Sequence, residues 1–172
     1  AIDGPAASGK GTLARRLAKT LNYAFLDTGA LYRAVALICE RDDLSETDEQ
    51  QSLEAAARLK SALDDSSDPS DILDNPELRH DNIGSKASHI AAQAGVRKAL
   101  LTIQQDFARN PGIGFDGAVL DGRDIGTVIA PDAEIKLFVT ARDDIRAQRR
   151  LKELQSKGIS ASYEAVLKDL RA

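Results

Sequence analysis

The sequence predicts an α/β fold, with a parallel β-sheet core and helices on both faces, in one domain of 172 residues. Three observations carry that prediction. Glycines and a lysine at the spacing Gly-x4-Gly-Lys follow the apolar stub Ala1-Ile2-Asp3 and run straight into a helical pattern. A strand-like run, a polar turn and a second helical pattern follow at once, between Tyr23 and Glu40. Two further apolar runs, Ala118 to Leu120 and Glu134 to Thr140, are then separated and followed by turns and helical stretches, as in successive βα units.

The first element is the stretch Gly4-Pro5-Ala6-Ala7-Ser8-Gly9-Lys10-Gly11-Thr12, which reads as a phosphate-binding loop. Its glycines let the backbone turn tightly and point N–H groups inward, and Lys10 adds a mobile charge for the outer phosphates of a ligand. The positive N-terminal end of the following helix joins the same cradle. Gly11 stands directly after Lys10, and the hydroxyl comes one place later, at Thr12. Leu13, Leu17 and Leu21, with Ala14 and Ala18 between them, form the apolar stripe of that helix, and Asn22 is its stop.

Tyr23 to Leu26 is the next strand, ending in the turn Asp27-Thr28-Gly29 before a helix from Ala30 to about Glu40. In an open parallel sheet ligands bind at the carboxyl ends of strands, so Thr28, Tyr32 and Arg33 stand within reach of a substrate. Read alone, Asp27 and Thr28 are equally helix caps and Arg33 a surface charge. Residues 44–83 form an insertion in a core made of about 1–43 and 84–172: a charged amphipathic helix from Glu46 to about Leu63, then the linker Asp64 to Asp71. A long helical pattern runs from Gly84 to Phe107, with a break expected at Gly95, and carries Ser88, Arg97 and Lys98.

The second informative stretch is Ala118 to Thr127. An apolar run ending in an acid is what a buried parallel strand delivers to the carboxyl edge of its sheet, and Asp121 resembles the acid that sits near Mg²⁺ in phosphate-loop enzymes. Thr12 and Asp121 are therefore the candidate metal ligands, and Lys10 and Arg123 the candidate catalytic groups. Arg123 can fork onto a phosphate, and Asp124 can accept hydrogen bonds from an amine or a sugar hydroxyl; a self-contained Arg–Asp pair capping a turn is the alternative. After the strand Glu134 to Thr140, a helix from Asp143 to about Lys157 places Arg142, Arg146, Arg149 and Arg150 close together. They form either a solvated face or a cationic wall of the cleft. A last helix starts around Ser162.

Composition narrows the function. A net charge of −4 supplies no field for nucleic acid, and no apolar stretch reaches membrane-spanning length. Cys39 is the single cysteine, in an apolar run that predicts a buried thiol, and His80 and His89 have no ligand cluster around them. With no leader-like segment before the loop, the expectation is a cytoplasmic protein, acting as a monomer.

The motifs together carry a resemblance. Gly-Pro-x-x-Ser-Gly-Lys-Gly-Thr at the start, Leu-Asp-Thr-Gly-Ala-Leu-Tyr-Arg at 26 to 33, Val-Arg-Lys-Ala-Leu-Leu at 96 to 101 and Asp-Gly-Arg-Asp-Ile-Gly-Thr at 121 to 127 are similar, in this order, to the bacterial cytidylate kinase family. The resemblance implies a P-loop kinase fold that transfers the γ-phosphoryl group of ATP to CMP or dCMP with Mg²⁺. It implies that Gly4, Pro5, Ala6, Ala7, Ser8, Gly9, Lys10, Gly11 and Thr12 hold the ATP phosphates and that Thr28 and Arg33 line the monophosphate site. Ser88, Arg97 and Asp124 fall where that family contacts the cytosine ring, and Arg123 where it contacts the phosphate of the acceptor. Residues 63 to 82 are shorter and more polar than the strand-bearing insertion of many members, and the family's arginine- and aspartate-rich lid is expected beyond Leu170, with a last strand and helix. A small-molecule kinase of the shikimate type shares the loop and size, and a kinase for UMP or AMP differs only in ring contacts. A nucleotide switch is expected to carry Asn-Lys-x-Asp, which is absent here.

Overall fold

The structure, a computed structural model, describes residues 1–66, 69–156 and 158–171. The linker residues Ser67 and Asp68 and the expected helix end at Lys157 lie outside the described residues. In chain order the elements are β1 (Ile2–Asp3), α1 (Lys10–Leu21), β2 (Ala24–Asp27), α2 (Thr28–Arg41), α3 (Glu49–Asp65), α4 (Ser70–Leu73) and a 3-10 turn (Pro76–Arg79). Then come α5 (Asp81–Ala92), α6 (Ala94–Arg109), β3 (Ala118–Gly122), a π turn (Ile125–Ile129), β4 (Leu137–Phe138), α7 (Asp143–Ser156) and α8 (Tyr163–Arg171). Every strand pair is parallel, in the order β2-β3-β1-β4. The α/β reading therefore holds.

Register sets the site. Asp27 lies opposite Asp121, Ile2 opposite Asp121 and Asp3 opposite Gly122, so three adjacent strands carry acids at or one residue from their carboxyl ends. On one face of the sheet Leu26, Leu120 and Ile125 meet Leu31 and Val35 of α2, Ile90 of α5 and Leu100 of α6. Ala55, Ala56 and Leu59 of α3 enter the same cluster, so the segment read as an insertion is packed into the main core. Cys39 is buried there as a free thiol, and burial pushes it above its ordinary pKa.

The other face takes Ala14, Ala18 and Leu17 of the expected apolar stripe and leaves out its two end leucines. Ala14 and Ala18 of α1 touch Ile2 and Val119, while Leu13 and Leu21 are each 43% exposed. Two alanines one turn apart let the helix axis approach the sheet closely, which turns the larger flanking leucines aside. Asn22 ends α1 as expected, in the left-handed conformation at φ 55°.

Three boundaries move for local reasons. The long helical pattern breaks at Gln93, which is extended, and Arg97 donates to the freed carbonyls of Ala91 and Ala92 at 2.9 and 2.7 Å. Gly95 sits instead in the first turn of α6 and donates its N–H to Glu49 Oε1 at 2.6 Å. α3 begins at Glu49 because Asp48 caps it, accepting from Gln50 and Gln51. The expected strand at 134–140 is regular only at Leu137–Phe138, an edge strand hydrogen-bonded through Leu137 N–H to Ala1 and Val139 N–H to Asp3. Among the described residues no helix is long and apolar enough to cross a membrane.

The depth of Leu59, fully buried at the contact of α3 with the core, yields a stability prediction. Leu59→Ala is expected to lower the unfolding free energy by about 2–5 kcal/mol while chemical denaturation stays a single transition. A separate early transition would show α3 to unfold apart from the sheet.

Candidate functional site

The loop between β1 and α1 takes the form its residues dictate. A side chain at Gly4 would stand 2.1 Å from the carbonyl oxygen of Val139, so the chain can pass there only as glycine. Ala7, at φ 58°, and Gly9, at φ 96°, both lie in the left-handed region and turn the backbone into α1, whose first residue is Lys10. Gly11 explains itself in the same way. A Cβ at that position would come within 2.9 Å of Asp121 Oδ2, so a serine or threonine directly after Lys10 would require the Asp121 carboxylate to shift. Thr12 is exposed on the next step of the helix.

Lys10 Nζ lies 3.1 Å from Asp121 Oδ1. Asp121 is only 4% exposed, and burial raises its carboxyl above the ordinary range, against the opposing pull of the Lys10 ammonium and with a further push from the charges of Asp27 and Asp3. Oδ1 is in ion-pair range of Lys10 and yet is a buried acceptor without a hydrogen-bond partner. A hard divalent cation is the kind of ligand such an oxygen suits, so Asp121 fits Mg²⁺. Among the described residues no group of three or more His, Cys, Asp and Glu forms a metal cluster. The Thr12 hydroxyl, two residues after Lys10, and the Ser8 hydroxyl, which accepts from Lys10 N–H at 3.4 Å, are the side-chain hydroxyls of the loop.

The acceptor side stands next to it. Asp27 accepts from Gly29 N–H at 3.0 Å and pairs with Arg33 at 2.6 Å, so it caps α2 and orients Arg33 at once. Arg33 Nε is a buried donor with no partner. Thr28 is buried, and its hydroxyl donates to the Asp121 carbonyl at 2.9 Å, clamping α2 to the end of β3. Tyr32 is half-buried; burial raises its phenol, the Asp124 carboxylate raises it further, and Arg97 and Gln104 oppose them. Tyr32, Arg97 and Asp124 therefore share one neighbourhood. Ser88 is exposed, donating to the Gly84 carbonyl at 3.2 Å. Arg123 and Asp124 are exposed, and among the described residues they form no ion pair with each other.

The arginines of α7 take a position that neither expectation named. Arg146 and Arg149 contact the backbone carbonyls of the phosphate loop, from Ala6 to Ser8, behind its N–H face. Arg142 pairs with Asp144, and Arg150 with Glu153 and Asp81.

Comparison with known proteins agrees with this geometry. A model of the family described as cytidylate kinase matches residues 1–172. The chain belongs to the cytidylate kinase family. It is 51% identical over 171 residues to a cytidylate kinase of Rhodospirillum rubrum, 52% over 171 residues to that of Paramagnetospirillum magneticum and 53% over 172 residues to that of Xanthobacter autotrophicus. In each case 99% of this chain and 76% of the relative are covered.

Within this cytidylate kinase frame, sequence reasoning missed two acids. Asp3 accepts from Ile125 N–H at 2.7 Å and Gly126 N–H at 2.9 Å, and so pins the π turn that follows Arg123 and Asp124. It ends a strand as Asp121 does, and the same strand-end rule finds it. Asp27 was read as a cap, and its pairing with Arg33, one and a half turns on, was the missing half.

The raised carboxyl of Asp121 gives a pH prediction. A folded pKa above the unfolded one means that the native state binds the proton more tightly, so this group adds stability at low pH that is lost as pH rises through its folded pKa. Unfolding free energies of the wild type relative to Asp121→Asn should therefore increase as pH falls from neutral into the carboxylate range. A pH-independent difference would contradict the burial argument.

Proposed function

We propose that this chain transfers the γ-phosphoryl group of ATP to CMP or dCMP, giving CDP or dCDP. The observation that carries it is the meeting at one sheet edge of a phosphate loop with two buried atoms of opposite character, Arg33 Nε, a donor without a hydrogen-bond partner, and Asp121 Oδ1, an acceptor in ion-pair range of Lys10. One suits an anionic acceptor and the other a cation accompanying an anionic donor. Membership of the cytidylate kinase family supports the substrate class.

The roles follow from the chemistry. Gly4 to Thr12 wrap the donor phosphates with backbone N–H groups, and Lys10 moves its charge from Asp121 toward them. Asp121 and the Thr12 hydroxyl are the groups that would hold Mg²⁺, and the ion would supply positive charge for the phosphates of the donor. Arg33, aimed by Asp27, and Arg123 bind the phosphate of the acceptor, with Thr28 holding the strand end beneath them. Ser88, Arg97 and Asp124 read the ring edge: Asp124 accepts from an exocyclic amine, and Arg97 donates to ring oxygen or nitrogen, against the side of Tyr32. No strong general base is required, because the acceptor phosphate is ionised near neutral pH and attacks directly.

The α3–α4 segment, residues 44–83, is the acceptor-side insertion of this domain, since α3 reaches the α5–α6 elbow through the Glu49 cap on Gly95. On this reading the chain acts as a monomer. Its nucleotide substrates argue for the cytoplasm.

Phosphoryl transfer from Mg·ATP, with CMP, dCMP, UMP, AMP, GMP and shikimate offered separately, tests the reading. Preference for CMP and dCMP is the expected result, and preference for any other acceptor would overturn the ring assignment. Lys10→Ala should depress turnover on every acceptor alike. Asp124→Ala should raise KM for CMP on the order of ten- to a hundredfold, the worth of a charged hydrogen bond, with KM for ATP changed by less than about twofold.

A further inference from the structure

The phosphate loop has a back as well as a front, and the back is held by guanidinium groups. Arg146 of α7 is 9% exposed, although arginine is among the residues least often buried. Its Nε donates to the Ala6 carbonyl at 2.9 Å and one terminal nitrogen to Asp143 Oδ1 at 3.0 Å, while the other reaches the Leu170 carbonyl, at the last turn of α8, at 3.5 Å. Asp143 in turn accepts from Arg171 at 3.2 Å. One planar fork thus joins the loop, the first turn of α7 and the end of α8.

In a trans peptide the C=O and N–H lie in one plane and point in opposite directions across the C–N bond, and no peptide bond among the described residues is cis. Holding the Ala6 carbonyl backward therefore aims the Ala7 N–H forward, into the cradle. Ala7 is the residue that needs such help. Its φ of 58° is a conformation that a side chain disfavours and that persists only where the surroundings impose it. The neighbouring contacts of Arg149 with the Ser8 and Ala7 carbonyls, at 2.7 and 3.4 Å, act on the next peptides in the same sense.

We propose that Arg146 is a positioning residue for the phosphoryl donor, fixing the orientation of the Ala6–Ala7 peptide, with Asp143 as the group that orients Arg146. The proposal rests on the reading of Gly4 to Thr12 as the ATP site. Arg146 itself touches no substrate; its effect passes through the backbone of the loop. It predicts a loss confined to the donor side.

The test compares Arg146→Met, which keeps an apolar stem but no donor, Arg146→Lys, which keeps one charge without the fork, and Asp143→Asn, an isosteric change at a half-exposed position. ATP and CMP binding are measured separately by calorimetry, and KM and kcat by transfer assay, all on the full chain. Arg146→Met should weaken ATP about tenfold and leave CMP within about twofold, with Arg146→Lys and Asp143→Asn near threefold on ATP alone. Should Arg146→Met fail to fold, Asp143→Asn decides. Equal weakening of ATP and CMP, or ATP affinity unchanged in all variants, would overturn the assignment of Arg146. A wild-type chain that binds no ATP would overturn the underlying reading of the loop instead.

Discussion

The contact between the Asp121 carboxylate and the start of α1 constrains more of this structure than any other. The carboxylate is buried, 3.1 Å from the Lys10 ammonium, and so close to the helix backbone that a Cβ at residue 11 would stand 2.9 Å from it. Its own carbonyl is taken by Thr28, and the next residue, Gly122, has Thr28 Oγ1 and Ile125 Cδ1 within 2.6 Å of where a Cβ would stand. Two helices, a strand and a turn are thus packed to contact around one ionisable group. Burial of a carboxylate is costly unless it is compensated, and here the compensation is a single lysine that also belongs to the phosphate loop.

That compensation makes sense of the remaining charges on the edge. Asp3, Asp27 and Asp121 lie at or one residue from the carboxyl ends of three adjacent strands, a concentration of negative charge where an anionic ligand is to be bound. Each acid is assigned a different partner: the N–H groups of residues 125 and 126, the guanidinium of Arg33, and the ammonium of Lys10. The acids act as orienters of cations and backbone donors. Of the three, Asp121 keeps a buried oxygen free of hydrogen bonds.

The parts of this arrangement that lie along the chain were legible in the sequence, and the parts that lie across it were less so. The loop, the Asp27-Thr28-Gly29 turn and the Asp121 strand end could be read because each is a local pattern with its own chemistry. The choice of Ala14 and Ala18 over Leu13 and Leu21 as the buried face of α1 could not, since hydrophobicity favours the leucines and only the closeness of the sheet favours the alanines. The break at Gln93 escaped for a similar reason. Glycine is the intrinsic breaker, yet the side chains of Arg97 and Glu49, one from the same helix and one from a distant segment, supply the partners that let the chain break two residues earlier. Spacing on α7 put its arginines on one face, but whether that face meets the front or the back of the loop is a tertiary fact.

The site is uneven in rigidity, and the unevenness bears on specificity. Asp121 and Thr28 are buried and Arg33 is half-buried, and all three are fixed by short contacts, whereas Ser88, Arg97, Arg123 and Asp124 are exposed. Charges on exposed side chains are screened by water and gain strength only when a ligand displaces it. Arg97 already spends two hydrogen bonds on the carbonyls that end α5, so its position is set before any ring arrives, and its remaining donors are presented from a fixed base. On the proposed reading, phosphate recognition is then built in, while discrimination between rings develops as the ring excludes water from between Arg97, Tyr32 and Asp124. A ring that leaves the Asp124 carboxylate unpaired would strand a charge that its own approach has desolvated, so rejection of the wrong base comes from the cost of that unpaired group more than from attraction to the right one.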